Sequence, residues 1–122
     1  MSASSPLPSR LCSISQLPTL RSSDKVRFLG CVNHYDEATA TLSLFHNFPT
    51  PQDRQIAQVD ISQLLDTIDR QLLQIGAWIN VVGYVTPSTS TNRIQVQAVI
   101  IWSAGAINLQ QYETALVSRQ TT

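Results

Sequence analysis

The chain is poor in charge and has almost no lysine. Only 13% of its 122 residues are charged, eight basic residues balance eight acidic ones, and Lys25 is the only lysine. A protein that coats duplex DNA by charge alone needs clustered cations to neutralise many phosphates, and this composition argues against that class. A surface with so few charges is poorly soluble by itself. We therefore expect a partner to cover part of it.

Cysteine and long apolar runs are also lacking. The two cysteines, Cys12 and Cys31, have no histidine cluster beside them and do not make a zinc site. Cys31 falls within a strand-like run, where a thiol is ordinary core filling. No run of residues is apolar and long enough to cross a bilayer, and no signal peptide is present. We expect an intracellular, reducing compartment and no membrane association.

Catalytic motifs are missing as well. His34 and His46 are the only histidines, and they lie in neighbouring predicted strands. Together they could bind a metal, or one could act as a general base, but surface strand positions are far commoner. The chain has no glycine-rich phosphate loop, nucleophile elbow or zinc-ligand spacing. We predict no enzymatic activity, no catalytic residue, no metal and no cofactor.

The part of the sequence that organises the rest is residues 25–44, KVRFLGCVNHYDEATATLSL. It predicts two strands joined by a tight polar turn at residues 36–39. The first strand is long and contains Gly30, where a missing Cβ lets a strand bend from one sheet edge to another. Gly83 plays the same part in a later strand. Such bends close a small antiparallel sheet into a barrel.

The segments flanking this hairpin are less regular. Residues 1–9 are rich in serine and proline and are predicted to be a disordered tail. Residues 10–20 carry spaced leucines and isoleucines interrupted by Pro18, and we interpret them as an extended apolar strap against the barrel rather than a short helix. Residues 55–61 predict a third strand. Residues 61–73 have apolar side chains at helical spacing and predict a helix. Asp60 or Ser62 is its predicted N-cap residue, and Gly76 is predicted to end it.

Two further strands and a helix complete the chain. Residues 77–85 are strand-like, and residues 93–102 alternate, with Ile94, Val96, Ala98, Ile100 and Trp102 predicted on the core side. After Gly105, residues 106–119 predict a final helix. Three strands, a helix and two strands are the plan of the OB-fold, a five-stranded Greek-key barrel. We predict one such domain over residues 10–122, mainly β, with an extra C-terminal helix.

Four stretches of the sequence, KVRFLGCVNHYD, TATLSLFHNFP, VDISQLL and GAWINVVGYV, resemble a known family. Over residues 9–120 the chain is similar to the fungal Ten subunit of the CST telomere-capping complex, which has the architecture of the small subunit of replication protein A. The resemblance implies a nuclear protein at telomeres, a large CST subunit as further partner, and pairing with the Stn-type OB-fold subunit through the C-terminal helix. It also implies a role in protecting the single-stranded G-rich overhang.

The C-terminal helix offers a candidate partner surface. Its predicted stripe falls at i, i+3 and i+7 with an arginine one turn further on, and comprises Leu109, Tyr112, Leu116 and Arg119. A stripe of this kind suits a facing helix, and tyrosine and arginine dominate interface energies. The alternative is that the stripe covers the chain's own barrel. We favour the partner, and the resemblance adds to that preference.

Single-stranded DNA is the other candidate ligand. OB-folds stack bases on aromatic side chains in a groove flanked by cations, and here loops 36–39 and 86–92 would form its rim. The tentative contacts are Arg27, Tyr35, Phe45, Trp78, Tyr84 and Arg93. Because the cations are scattered, we expect weak binding or binding through the complex. Two other functions stay open: a replication protein A-like subunit in general DNA metabolism, and a protein-interaction barrel without nucleic-acid contact.

Overall fold

The computed structural model describes residues 9–50, 52, 55–87 and 94–120, and the side chains to residue 118. The predicted tail lies almost wholly outside this range. The strands are β1 (Arg10–Leu11), β2 (Lys25–Asp36), β3 (Thr41–Phe45), β4 (Ile56–Asp60), β5 (Trp78–Thr86) and β6 (Ile94–Ser103). The helices are the α-helix α1 (Leu109–Gln120) and three 3-10 helices, Ile14–Thr19, Ser62–Leu64 and Arg70–Leu73.

Five strands form the predicted barrel. The order is β2-β3-β4-β6-β5, and β5 pairs back onto β2 to close it. β4 runs parallel to β6, while the other barrel neighbours are antiparallel. This is the Greek-key arrangement of the OB-fold. The five strands predicted from alternation are confirmed.

β2 closes the barrel because it serves two neighbours. Its first half, Lys25 to Cys31, pairs with β5, and its second half, from Cys31 onward, pairs with β3. Gly30 lies at the change of partner, where an added Cβ would come within 2.8 Å of Leu44 Cβ. The predicted bend at Gly30 is therefore explained by a close approach across the barrel.

The barrel core is built from the inward-facing residues of these strands. Side chains that are essentially inaccessible to solvent come from every barrel strand, and include Val26, Phe28, Leu42, Leu44, Val59, Ile79, Val81 and Val96. Period-two alternation places them on one face of each strand. The hydrophobic pattern thus specifies the register of the sheet.

The N-terminal segment differs from the predicted extended strap. Two residues of β1 run parallel to β2, and then Ile14–Thr19 form a 3-10 helix that includes Pro18. Ile14 and Leu17 are both buried in the core. A spacing of three places two side chains on the same side of a 3-10 helix. The segment does lie against the barrel, but it is helical rather than extended.

The predicted helix over residues 61–73 is wrong as a continuous helix. Two 3-10 helices replace it, separated by residues 65–69. The last of these, Asp69, is extended (φ −76°, ψ 121°) and accepts a hydrogen bond from the Gln71 amide at 2.9 Å. Thr67 Oγ1 donates to the Leu64 carbonyl at 3.3 Å. Short polar side chains compete with the helical backbone in this way. The predicted cap is wrong, because Ile61 is the N-cap residue and makes no side-chain cap hydrogen bond. Asp60 Oδ1 instead accepts a hydrogen bond from the Ser62 amide at 2.8 Å, just before the first turn.

The predicted alternation of β6 fails in its second half. Ile94, Val96 and Ala98 are buried as predicted, but the register with β5 shifts between Val82 and Gly83, which leaves Val99 as an extra residue. A bulge reverses the inward and outward sides beyond it. Ile100 is consequently 53% exposed, and Ile101 packs against the core instead.

The final helix begins three residues later than predicted. Asn108 caps it, because its Oδ1 accepts a hydrogen bond from the Gln111 amide at 3.1 Å. Within the described ranges of the chain, no helix has the length and hydropathy to cross a membrane.

Candidate functional site

A second buried cluster lies outside the barrel core, on the outer surface of β2. Leu29 and Cys31 point away from the interior, yet they are 0% and 7% exposed. Neither belongs to the core, and nor do the buried Phe48 and Leu116. Leu116 belongs to α1, and Tyr112 of the same helix lies beside the Leu29 backbone. The helix therefore covers this outer surface and buries it.

His46 joins the helix to the barrel. It follows the last residue of β3 and is 3% exposed, and its Nε2 lies 2.8 Å from Glu113 Oε2 on α1. Its ring stacks on Phe48 at 5.4 Å and meets the edge of Trp78 at 5.7 Å. The Tyr112 ring lies 6.3 Å away. We call these five residues the His46 cluster.

The predicted partner stripe faces the chain's own barrel at two positions. Leu116 is 1% exposed, and burial raises the pKa of Tyr112 to about 12 against the opposing effect of Arg27. Leu109 is half-buried, and the Arg119 side chain lies outside the described residues. In this conformation Leu116 is inaccessible to a partner. The stripe's role in partner binding stays a prediction.

The side of α1 that faces away from the barrel is exposed, and its described side chains are uncharged. It carries Gln110, Gln111, Thr114, Ala115, Val117 and Ser118, all of them exposed. Val117 is 47% exposed, although it is one of the largest apolar side chains of the helix. A solvated helix face carries charged or polar residues, and this one is polar but for Ala115 and Val117. Depletion of charged residues is a property that it shares with the core of protein interfaces.

A second surface with exposed apolar side chains lies on the outside of β2, β5 and β6, and it includes the charged Arg27. The Arg27 guanidinium stacks 5.4 Å from the Trp102 ring centre. Val82 pairs with both Arg27 and Ile100 across the strands, so these three side chains share one row. Ile100 is half exposed, and we call Arg27, Val82, Ile100 and Trp102 the Trp102 face. This face combines apolar surface with arginine and tryptophan, two residue types that contribute most of the binding energy at protein interfaces.

A cavity lies beside one predicted rim of the DNA groove, and its described lining lacks the expected contacts. This cavity of about 300 Å³ lies beside Thr86 and Pro87, where a rim loop was predicted, and is lined mainly by Thr41, Gln58, Asp60, Gln95 and Gln97. Among the described residues that line this cavity, Asp60 is the only charged one. A carboxylate repels phosphate, and the lining has no aromatic ring on which a base could stack.

The candidate DNA contacts do not all converge, although Arg27 and Tyr84 lie in neighbouring outward-facing rows of β2 and β5. Arg27 lies on the Trp102 face and Trp78 in the His46 cluster. Tyr35 lines a separate cavity with Leu65 and Arg70. Phe45 is half-buried at the end of β3, Tyr84 is 37% exposed on β5, and Arg93 lies outside the described residues. The structure does not bring the described candidates into one groove.

The two histidines have different surroundings. His34 is exposed on β2 opposite Ser43, as predicted for a surface position. The same expectation is wrong for His46, which is buried against α1. Where the chain is described, no three His, Cys, Asp or Glu side chains come together as a metal site. No sequence signal links His46 to Glu113, because the fold alone brings these residues together.

Comparison with known families settles the class of protein. A family model described as Ten1, a telomere-capping subunit of the CST complex, matches residues 1–117. The chain belongs to the Ten1 family. The resemblance inferred from the sequence is thereby confirmed, and the family is one of telomere-capping subunits. No curated protein matches the sequence significantly.

Solved structures with this fold include members of the same family. The chain is 26% identical to a chain of the S. pombe Stn1–Ten1 complex, with a TM-score of 0.74 and 96% of each chain covered. It is also 26% identical to S. pombe Ten1, with a TM-score of 0.72, covering 94% of this chain and all of that one. A chain of U. maydis replication protein A bound to single-stranded DNA is 17% identical, with a TM-score of 0.65 and coverages of 93% and 91%. That likeness shows a shared fold.

The link between His46 and Glu113 predicts a local effect of mutation. We expect Glu113→Met and His46→Phe to loosen α1 by about 1–2 kcal/mol, because each removes the hydrogen bond between the His46 ring and residue 113 while roughly keeping the size of the side chain. Amide exchange along α1 should accelerate while that of β3 and β5 stays unchanged. Gln110→Ala on the exposed side is the control. Unchanged exchange of the helix in both variants would contradict this role of His46.

Proposed function

We propose that this chain is a non-catalytic subunit that pairs with an Stn-type OB-fold protein through its C-terminal helix and the Trp102 face. The observation that carries the proposal is a pair of exposed apolar side chains, Ile100 and Val117, on surfaces with few charges. Similarity to a chain of the Stn1–Ten1 complex supports this kind of partner. Membership of a telomere-capping family supports a nuclear location at chromosome ends.

The contribution of α1 to this interface differs from the predicted stripe. Leu116 and Tyr112 hold the helix on the barrel, and the exposed side presents Val117 with small and neutral neighbours to the partner. A helix fixed in advance loses little entropy when it binds. Arg27 and Trp102 supply an aromatic and guanidinium pair of the kind enriched in binding hot spots.

DNA binding is assigned mainly to the assembled complex, including its large subunit. The described lining of the cavity beside Thr86 offers neutral amides and one carboxylate, whereas single strands need stacking platforms and cations. The G-rich telomeric strand is therefore bound weakly or not at all by this chain alone. Titration of the chain and of the complex with G-rich and random single strands distinguishes this from general DNA metabolism, where sequence preference would be absent.

Co-expression with the Stn-type subunit tests the interface. A one-to-one complex is expected by size-exclusion chromatography with light scattering. Ile100→Glu and Val117→Glu should each weaken it by at least about 30-fold, since a charge would be buried at a hot spot. Both positions are exposed in the free chain, so folding should be unaffected.

The matched control for these variants is Ile75→Glu. Ile75 is 76% exposed on the segment between the third 3-10 helix and β5, away from the proposed interface. The same substitution there should leave the affinity unchanged. A chain that remains monomeric in the presence of the partner, or equal losses in all three variants, would refute the proposed surface.

A further inference from the structure

β6 is fully paired along only part of its length. Residues Ile94 to Gln97 pair with β4, and from Gln95 the strand also pairs with β5 on its other side. Beyond Gln97, β4 has ended, because its chain turns away at Ile61 into the second 3-10 helix. After the bulge at Val99, the stretch from Ile100 to Ser103 is therefore paired with β5 alone.

The register identifies the backbone groups at this open edge. The Ala104 amide donates to the Trp78 carbonyl at 2.9 Å, so residues 104, 102 and 100 direct their N–H and C=O groups toward β5. Ile101 and Ser103, which alternate with them, direct theirs away from β5. No other described segment forms a backbone hydrogen bond to these two residues. Two donors and two acceptors are thus available at the edge.

A groove runs beside this edge. It encloses about 490 Å³ between the strand and the two short helical turns, whose apolar side chains Leu64, Ile68 and Leu72 form the far wall. Asp69 is the only charged residue of its described lining. That carboxylate already accepts a hydrogen bond from the Gln71 amide. The groove therefore offers an unpaired backbone and a mainly apolar wall, whose one described charge is the Asp69 carboxylate.

We propose that this edge binds an extended, uncharged segment of the Stn-type partner as an additional strand. Main-chain hydrogen bonds to Ile101 and Ser103 would hold the segment, and alternate side chains would enter the groove. The occupant is the partner because Ile100 and Trp102, which alternate with these residues in the same strand, belong to the proposed interface. The inference thus rests on the proposed function. An uncharged edge of this kind is a liability if nothing covers it.

Residue-resolved amide exchange of the chain alone and in the binary complex tests the inference. The amides of Ile101 and Ser103 should exchange roughly tenfold more slowly in the complex. The amides of Ile100 and Trp102 bond to β5 and should be protected in both states. This comparison needs no mutation and reports on the open edge specifically.

A pair of variants at Ser103 adds a functional measurement. Ser103→Pro removes the open-edge N–H and should weaken the complex by roughly 3- to 10-fold, the loss expected for one hydrogen bond. Ser103→Ala is the matched control, because it also loses the Oγ that accepts from the Gly105 amide but keeps the N–H. It should bind as the original chain does.

The outcomes separate this inference from the proposed function. A complex that forms while both open-edge amides exchange as fast as before overturns the added strand and leaves the pairing intact. Failure of the complex to form overturns the proposed function and this inference with it. Protection that rises with the concentration of the chain alone would assign the edge to a second copy and overturn the partner as occupant.

Discussion

Gly83→Val is expected to prevent the barrel from folding. An added Cβ at this position would lie 2.3 Å from the Gln97 carbonyl oxygen, 2.9 Å from Val96 Cγ1 and 3.0 Å from Ala98 Cα. Two of these atoms belong to the backbone of β6 and have no rotamer by which to move away. Relief requires β5 and β6 to separate at the bulge. Since a domain of this size is stable by only about 5–15 kcal/mol, we expect an insoluble or unfolded chain.

The control variant places the same valine side chain at the next residue of β5. Tyr84→Val introduces valine on the outer face of β5, where the native ring is partly exposed, and should melt close to the original chain. Far-UV circular dichroism and thermal melting of both variants make the comparison. A soluble Gly83→Val chain with an ordinary melting transition would show that β5 and β6 do not approach as closely as described.

The barrel could be predicted because burial leaves a direct trace in strands. Each strand with one face toward the core repeats apolar residues with period two, and this applied to β3, β4 and the first half of β6. Gly30 and Gly83 also marked the positions where two strands of the barrel approach each other closely. These signals are local, so they can be recognised without knowledge of neighbouring strands.

The errors arose where hydrogen bonds or strand pairing override the pattern of apolar residues. The leucines of residues 61–73 recur at helical spacing because they cover the barrel, but Thr67 and Asp69 hydrogen-bond locally and break the helix into two turns. The β6 bulge at Val99 is set by the register with β5. Nothing in the β6 sequence alone marks that position.

The candidate site was predictable only in part, for a related reason. Periodicity shows that one face of α1 is apolar, but it does not show which surface covers that face. Within the chain, that face is covered by Leu29 and Cys31 on the outer side of β2. In the sequence these two residues look like ordinary strand residues. The exposed side of the helix was overlooked because Val117 is surrounded by polar residues.

Leu116→Glu is expected to release α1 from the barrel. The side chain is fully buried, and truncation of such a leucine alone costs about 2–5 kcal/mol. A carboxylate at the same place would also lose its hydration without gaining a partner. An isolated helix of 12 residues is marginal in water, so the released segment should lose its helical structure. The barrel should stay folded, because Leu116 lies outside its core.

Val117→Glu is the decisive comparison, since it makes the same change on the exposed side of the same helix. Both variants should fail to bind the Stn-type partner, but for different reasons. Leu116→Glu should lose helical circular dichroism and the protection of α1 amides, whereas Val117→Glu should retain both. If Leu116→Glu kept a protected helix, the packing of α1 on its own barrel would be refuted. If Val117→Glu still bound the partner, the exposed side of the helix would not be the interface.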